Sequence, residues 1–385
     1  MRKFLCGIVI FLIFILVPKF TYAEEQTKEN ILNKQTEGFG ISDFIEEANK
    51  YSTDVFNDIN MKDVFNSAIS GNVKNDTIIK KILNFLGIEI ISSIKTLVSI
   101  LVIVLIHTVL KTVTDSLEDN SVSKIIYYVQ YILIVTLIFS NFSSILSSVS
   151  DTISNLVGFT NSLIPLLITL MIYTGSISTS VVIEPIILFV IEFISNIIRG
   201  LILPAISLIV VLIIVSKISD QIQINKLTKF MKSSVVWFLG VVLTIFVGVI
   251  SLEGTLTSSV DGITAKTTKA AVSNLIPVVG KVLGDSVDTV LGCGLILKNA
   301  VGIVGSLVII GICINPIIKL ATLSIIYSLG ASIVEVIADK KIVNLLEEIS
   351  GIFKILLGIM CTMSVMLIIG TTLIIKISNS GMMYR

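Results

Sequence analysis

The sequence is poor in the residues that most often carry chemistry. Its 385 residues include one histidine, one tryptophan, six prolines and four cysteines, and 14% are charged. A single histidine, His107, excludes a His-rich metal site within one chain, and it sits in an apolar run without a G-x-S-x-G nucleophile motif. It is read as a helix-interface histidine. Cys6, Cys293, Cys313 and Cys361 are widely separated and lack C-x-x-C spacing, so they read as small apolar fillers. Gly280-Lys281 does not close a P-loop, because Leu275 stands where the first glycine belongs and Val282 where Ser or Thr must hold magnesium. A formal net charge of +1 gives no reason to expect nucleic acid as a partner. No catalytic residue, metal site or cofactor is expected.

Apolar sequence is what the chain has in quantity. Hydrophobic residues make up 54% of it and the mean hydropathy is +0.98, whereas soluble domains carry about 25% charged residues. The expected fold class is all-α, a polytopic integral membrane helical bundle with a short extracytoplasmic N-terminal helical region. Residues 1–23 have Arg2 and Lys3, an apolar core from Phe4 to Val17, and Thr21-Tyr22-Ala23 before Glu24. That order is a secretory signal peptide with cleavage between Ala23 and Glu24, an uncleaved anchor being the alternative.

Residues 24–89 hold twelve acidic residues against seven lysines, a balance permissive of export. Residues 24–40 read as disordered. After them Ile41, Phe44, Ile45 and Ala48 repeat at helical spacing, with Asp43 and Glu46 placed for a capping box. Val64, Phe65, Ala68 and Ile69 suggest a second short helix, and Ile78, Ile82, Phe85 and Leu86 a third. So few apolar groups make a thin core. These helices are expected to dock on the membrane or on a partner.

Crossing a bilayer takes about 20 apolar residues per helix. The runs that qualify are 90–110, 125–142, 156–173, 182–198, 201–215 and 235–252, giving a bundle of about six spans over residues 90–273, and then 300–326 and 352–375 in a C-terminal region over residues 300–385. Serine-rich 143–155 reads as a short interfacial helix. Asn315-Pro316 leaves the seventh run either one kinked helix or a half-spanning hairpin, because proline removes a hydrogen bond wherever it sits. The segment Lys217 to Ser233 carries Lys217, Lys226, Lys229 and Lys232 against Asp220 alone, which places it in the cytoplasm.

Two polar stripes interrupt this pattern. In the fourth run Glu184, Glu192 and Arg199 fall within about 80° of one another on a helix, with Asn196 near the same face. They form either a pore-lining face or an interhelical polar contact with Arg199 reaching the surface. The second stripe lies in residues 274–299, a stretch too polar for a plain span and too apolar for a solvated loop. As a helix from Pro277 it sets Lys281, Asp285 and Asp288 within about 60° of one another. Lys298-Asn299 follows, and the pairs Gly280/Gly284 and Gly302/Gly305 allow a neighbouring backbone to come close. This element either lines a polar cavity as an embedded or re-entrant segment, or lies flat on the membrane surface.

The run IPVVGKVLGDSVDTV, then LILKNAVGIVG and the apolar run around Pro316, resembles the C-terminal half of the stage III sporulation protein AE family. The order of leader, polar ectodomain and spans, and the ending Met382-Met383-Tyr384-Arg385, resemble it too. The resemblance implies an endospore former and a subunit, made in the mother cell, of the membrane surrounding the forespore. It also implies a transenvelope channel built with other proteins of the stage III sporulation A operon, among them a secretion-type ATPase, and indirectly with stage II sporulation protein Q of the forespore. Late forespore development and sigma-G activity would depend on it. The competing expectation from the residues is a self-contained secondary transporter whose midplane site is formed by the fourth run and residues 274–305. No internal repeat supports it.

Overall fold

The computed structural model describes residues 28–52, 56, 59–71, 75–115, 120–218, 224–249 and 279–383. The leader, including Ala23 and Glu24, lies outside the described residues. Helices account for nearly everything that is described, and no strand occurs among those residues. They are α1 (Lys28–Gly38), α2 (Ile41–Lys50), α3 (Met61–Ile69), α4 (Asn75–Asp115), α5 (Asn120–Tyr173) and α6 (Ile177–Ile197). A π-helical turn, Ile198–Ile202, leads into α7 (Leu203–Ile218), followed by α8 (Asn225–Val249), α9 (Val279–Val334) and α10 (Lys340–Met383).

Six helical stretches among the described residues are long and apolar enough to cross a membrane: Leu83–Leu110, Tyr128–Tyr173, Ser180–Lys217, Asn225–Val249, Thr289–Val334 and Lys340–Lys376. The chain is a multi-pass membrane protein. Eight apolar runs in the sequence become six helices because two pairs fuse. Runs 125–142 and 156–173 both belong to α5, whose serine-rich middle is not a separate interfacial helix. There Ile145, Val149, Ile153 and Leu156 are buried at helical spacing, so tertiary packing carries the helix through. Runs 182–198 and 201–215 are joined by the π-helical turn, which ends just before Pro204. A proline at 204 removes a bond to the carbonyl of Gly200 and crowds it, and a widened turn relieves both.

Asn315-Pro316 also fails to break its helix. α9 runs on through Pro316 for 56 residues, about 84 Å at 1.5 Å per residue, because the residues on both sides of the proline are packed. Leu307, Val308, Ile309, Ile312, Ile318 and Leu320 are all buried. The half-spanning hairpin is therefore not formed.

α9 and α10 pair antiparallel and form the middle of the bundle. Ser350 Oγ donates to the Ser324 carbonyl at 2.8 Å, the rings of Tyr327 and Phe353 lie 5.3 Å apart, and Lys298 Nζ donates to the Ile375 carbonyl at 3.1 Å. α5 lies beside α9 with the opposite direction: Asn141 Nδ2 donates to Tyr327 OH at 3.1 Å. α4 runs with α9, and Thr108 Oγ1 donates to the Ile337 carbonyl at 3.2 Å. Tyr131 OH donates to the Ile214 carbonyl, and Lys232 pairs with Glu348. These contacts gather the end of α4, the start of α5, the end of α7, the start of α8 and residues 334–340 at one end of the bundle. The turn from Tyr173 to Ile177 lies at the other, with the start of α9 and the end of α10.

Three N-terminal helices pack at that second end. α1 covers residues expected to be disordered; its composition is too polar to hold a helix by itself, and contact with the bundle supplies the difference. α2 begins without the expected capping box. Gly40 precedes it at φ 67°, and no side chain caps the end, since a left-handed residue there redirects the chain sharply from α1. α3 forms where the second short helix was expected, with Asn60 accepting from the Lys62 N–H at 2.9 Å. The third is the beginning of α4.

Candidate functional site

The first turns of α9 carry the backbone of Lys281, Asp285 and Asp288 on one helix face, as their spacing requires, with Gly280 and Gly284 in the same turns; the three charged side chains lie outside the described residues. Lys298 is fully buried, with its ammonium on the Ile375 carbonyl of α10. Next to it Asn299 is partly buried, and its Oδ1 meets no hydrogen-bonding partner among the described residues. A lysine so placed locks the start of α9 to the end of α10.

Three glycines on the same part of α9 take neighbours at close range. A Cβ at Gly302 would collide with Ile375 Cδ1, one at Gly305 would lie 2.6 Å from Leu163 Cδ2, and one at Gly294 would lie 2.8 Å from Tyr173 Cδ1. Gly302 thus faces α10, while Gly294 and Gly305 face α5. Absence of a side chain is what brings the three backbones together.

Tyr173 is in turn held by α1. Gln35 Nε2 donates to Tyr173 OH at 2.8 Å and lies 3.2 Å from the Val290 carbonyl of α9. Phe39 meets the Tyr173 ring edge-on at 4.8 Å between centroids. Phe44 packs tilted and Tyr51 edge-on against Phe159, at 5.9 and 5.6 Å between centroids. The sequence reading missed this Gln35 clamp; a glutamine in a polar segment carries no signal of its own, and only the aromatic residues that follow it hint at docking. Between α1, α2 and α3 lies an open polar cleft of about 690 Å³, lined by Asn33, Glu37, Glu46, Asn49, Asn60 and Lys62 among others.

α5 changes character along its length. Exposed residues on its first half are mainly apolar: Ile125, Val129, Ile132, Leu133 and Phe139. From Ser143 to Thr169 the exposed residues are polar, namely Ser143, Ser144, Ser147, Asp151, Asn155, Asn161 and Thr169. That stretch is about 40 Å long at 1.5 Å per residue. The other side of the same half packs on α9, Leu163 lying against Gly305. A face so polar requires water or a polar partner at any depth.

The stripe on α6 is not brought to this place. Glu192, Asn196 and Arg199 are exposed, Glu184 is half-buried, and Asn196 Nδ2 donates to Glu192 Oε1 at 3.2 Å. α6 packs against α5, and Arg199 sits within the π-helical turn. Among the described residues no three His, Cys, Asp or Glu side chains are grouped so as to hold a metal ion. Cys293 and Cys313 are buried and Cys361 is exposed, and none of the three is in a disulfide.

A family model described as stage III sporulation protein AE matches residues 59–378. Stage III sporulation protein AE of Bacillus subtilis (strain 168) is 35% identical over 171 residues, covering 44% of this chain and 43% of that relative. The aligned region thus spans less than half the length of the curated relative. No solved structure matches. With the family model covering α3 to nearly the end of α10, the chain belongs to the stage III sporulation protein AE family and is a sporulation protein.

Proposed function

We infer that this chain is a non-enzymatic subunit of the transenvelope channel, a secretion-like complex, between mother cell and forespore. It sits in the mother-cell membrane that surrounds the forespore, and late forespore development and sigma-G activity depend on it. Its partners are other proteins of the stage III sporulation A operon. A secretion-type ATPase among them supplies energy that this chain has no motif to supply, and stage II sporulation protein Q is reached indirectly. Besides family membership, the observation that supports this reading is the polar second half of α5, a water-requiring face on a helix whose first half is built for lipid.

Orientation follows from charge. With residue 24 outside, three crossings by α4, α5 and the α6–α7 run put Lys217, Lys226, Lys229 and Lys232 in the cytoplasm. The Tyr173 end, α1 to α3, the start of α9 and the end of α10 then lie outside, toward the forespore. Lys281, Asp285 and Asp288 belong to that end and serve as contacts to partner subunits or to water in the conduit. Lys298 and Asn299, with the close-packed glycines, set the position of that helix face. Arg199 lies roughly 27 Å above Lys217 at 1.5 Å per residue, near the outer boundary of a bilayer about 30 Å thick. Glu192 and Glu184 stand beyond it, available to partners.

The reading is tested with single cysteines in native membranes. Asp151→Cys and Asn155→Cys react with a membrane-impermeant maleimide, and Val129→Cys does not; failure of both polar positions to react removes the water-facing surface. In sporulating cells Asp285→Ala with Asp288→Ala blocks development after engulfment at normal protein level, whereas a normal spore yield refutes the role of that stripe. Purified chain in liposomes shows no gradient-driven solute uptake. Robust uptake would instead establish the secondary transporter with a midplane site on α6 and residues 274–305.

A further inference from the structure

Gln130 sits in the first half of α5, three turns from the helix start, and is 3% exposed. Neither Nε2 nor Oε1 meets a hydrogen-bonding partner among the described residues. It lies in the floor of an apolar groove of about 180 Å³ between α4 and α5, whose walls include Ile103, Ile106 and Leu110 of α4 and Ile126, Val129 and Leu133 of α5. An amide left unpaired in an apolar setting is costly, about 1–3 kcal/mol, and calls for a partner. The rims of the groove face outward from the bundle as well. Ile106 is 56% exposed, Val129 54% and Leu133 50%, and apolar exposure continues along α4 through Val98, Val102, Val109 and Val113.

We propose that this groove is the contact between two copies of the chain in the membrane, closed by hydrogen bonds between their Gln130 amides. The chemistry selects this occupant. A carboxamide carries a donor and an acceptor on one group, so two of them related by a two-fold axis satisfy both atoms on each side. A carboxylate, which only accepts, offers no such reciprocal match. The surrounding aliphatic rims are equally self-complementary, and in lipid, packing and interhelical amide bonds are what hold helices together. Pairing requires each amide to turn outward from the groove floor. The contact lies on α4 and the lipid-facing half of α5, so it leaves the polar half of α5 and helices α1 to α3 open to other proteins.

The test uses the full chain in membranes with Cys361→Ser, the buried thiols left in place. Single cysteines are introduced as Val129→Cys or Leu133→Cys on the groove rim, with Val236→Cys on the exposed face of α8 as control. Mild oxidation converts the rim variants to a species of twice the chain mass and leaves the control a monomer. Adding Gln130→Leu lowers the cross-linked fraction about five-fold, in line with the modest strength of amide bonds between membrane helices, while Gln130→Asn keeps most of it. Leucine in the groove relieves an unpaired amide, so the monomer stays folded, which its elution profile in detergent verifies. The proposal is overturned if the rim positions cross-link no better than the control, or if Gln130→Leu cross-links like the parent. A rim cross-link to a chain of another mass in sporulating cells overturns it equally.

Discussion

Two glycines separated by a single residue on α9 respond differently to alanine. Gly292 has nothing within 4 Å of the position its Cβ would take, so Gly292→Ala gains helix propensity, about 1 kcal/mol. At Gly294 the same gain is set against a Cβ 2.8 Å from Tyr173 Cδ1, 3.0 Å from Cε1 and 3.2 Å from Thr174 Cγ2. The tyrosine ring is unable to yield freely. Gln35 bonds its hydroxyl at 2.8 Å and Phe39 packs on its edge. Overpacking of this kind costs about 1–3 kcal/mol, so Gly294→Ala is neutral to roughly 2 kcal/mol destabilising once the propensity gain is subtracted. At about 2 °C per kcal/mol for a large chain, the two variants separate by roughly 2–6 °C in detergent melts followed by size-exclusion profile. Tyr173→Leu removes the ring, so in that background the penalty at Gly294 shrinks. Equal melting of the two alanine variants, or a Gly294→Ala chain more stable than Gly292→Ala, refutes the argument that α1 pins Tyr173 against α9.

Two further outcomes follow from the α9–α10 pair. Lys298→Ala deletes a fully buried side chain together with its bond to the Ile375 carbonyl and lowers stability by about 2–5 kcal/mol. Lys298→Met keeps the volume and loses less, an order that melting of the two variants checks. Because α9 passes through Pro316 as one helix and crosses once, a reporter fused after Lys376 lies on the extracytoplasmic side and is active only if it folds there; a cytoplasmic reporter signal refutes the single crossing.

Much of the architecture was legible in the order of residue types alone. Membrane residence and an all-helical fold follow from hydropathy, which acts locally. The existence of short helices at Ile41 and Met61 followed from spacing. What the local pattern failed to give was continuity. Serines at 143–155 and proline at 316 read as interruptions, yet burial of Ile145, Val149 and Ile153 on one side and of Ile312 and Ile318 on the other carries both helices onward. Whether a breaker breaks depends on the energy of packing around it, which no window of sequence contains.

The same division holds for the candidate site. Residue type and spacing put Lys281, Asp285 and Asp288 on one face and marked Gly302 and Gly305 as places of close approach. Only the tertiary structure decided that Gly302 meets α10 while Gly305 meets α5, that Lys298 is enclosed, and that Gln35 fastens α1 to Tyr173. It also separated Glu184, Glu192 and Arg199 from α9, and left Gln130 buried with an unanswered amide. Composition determines the solvent in which a helix can live, because transfer energy is a property of each side chain. Partners are set by how helices far apart in sequence come to lie side by side, a property that belongs to the assembled chain.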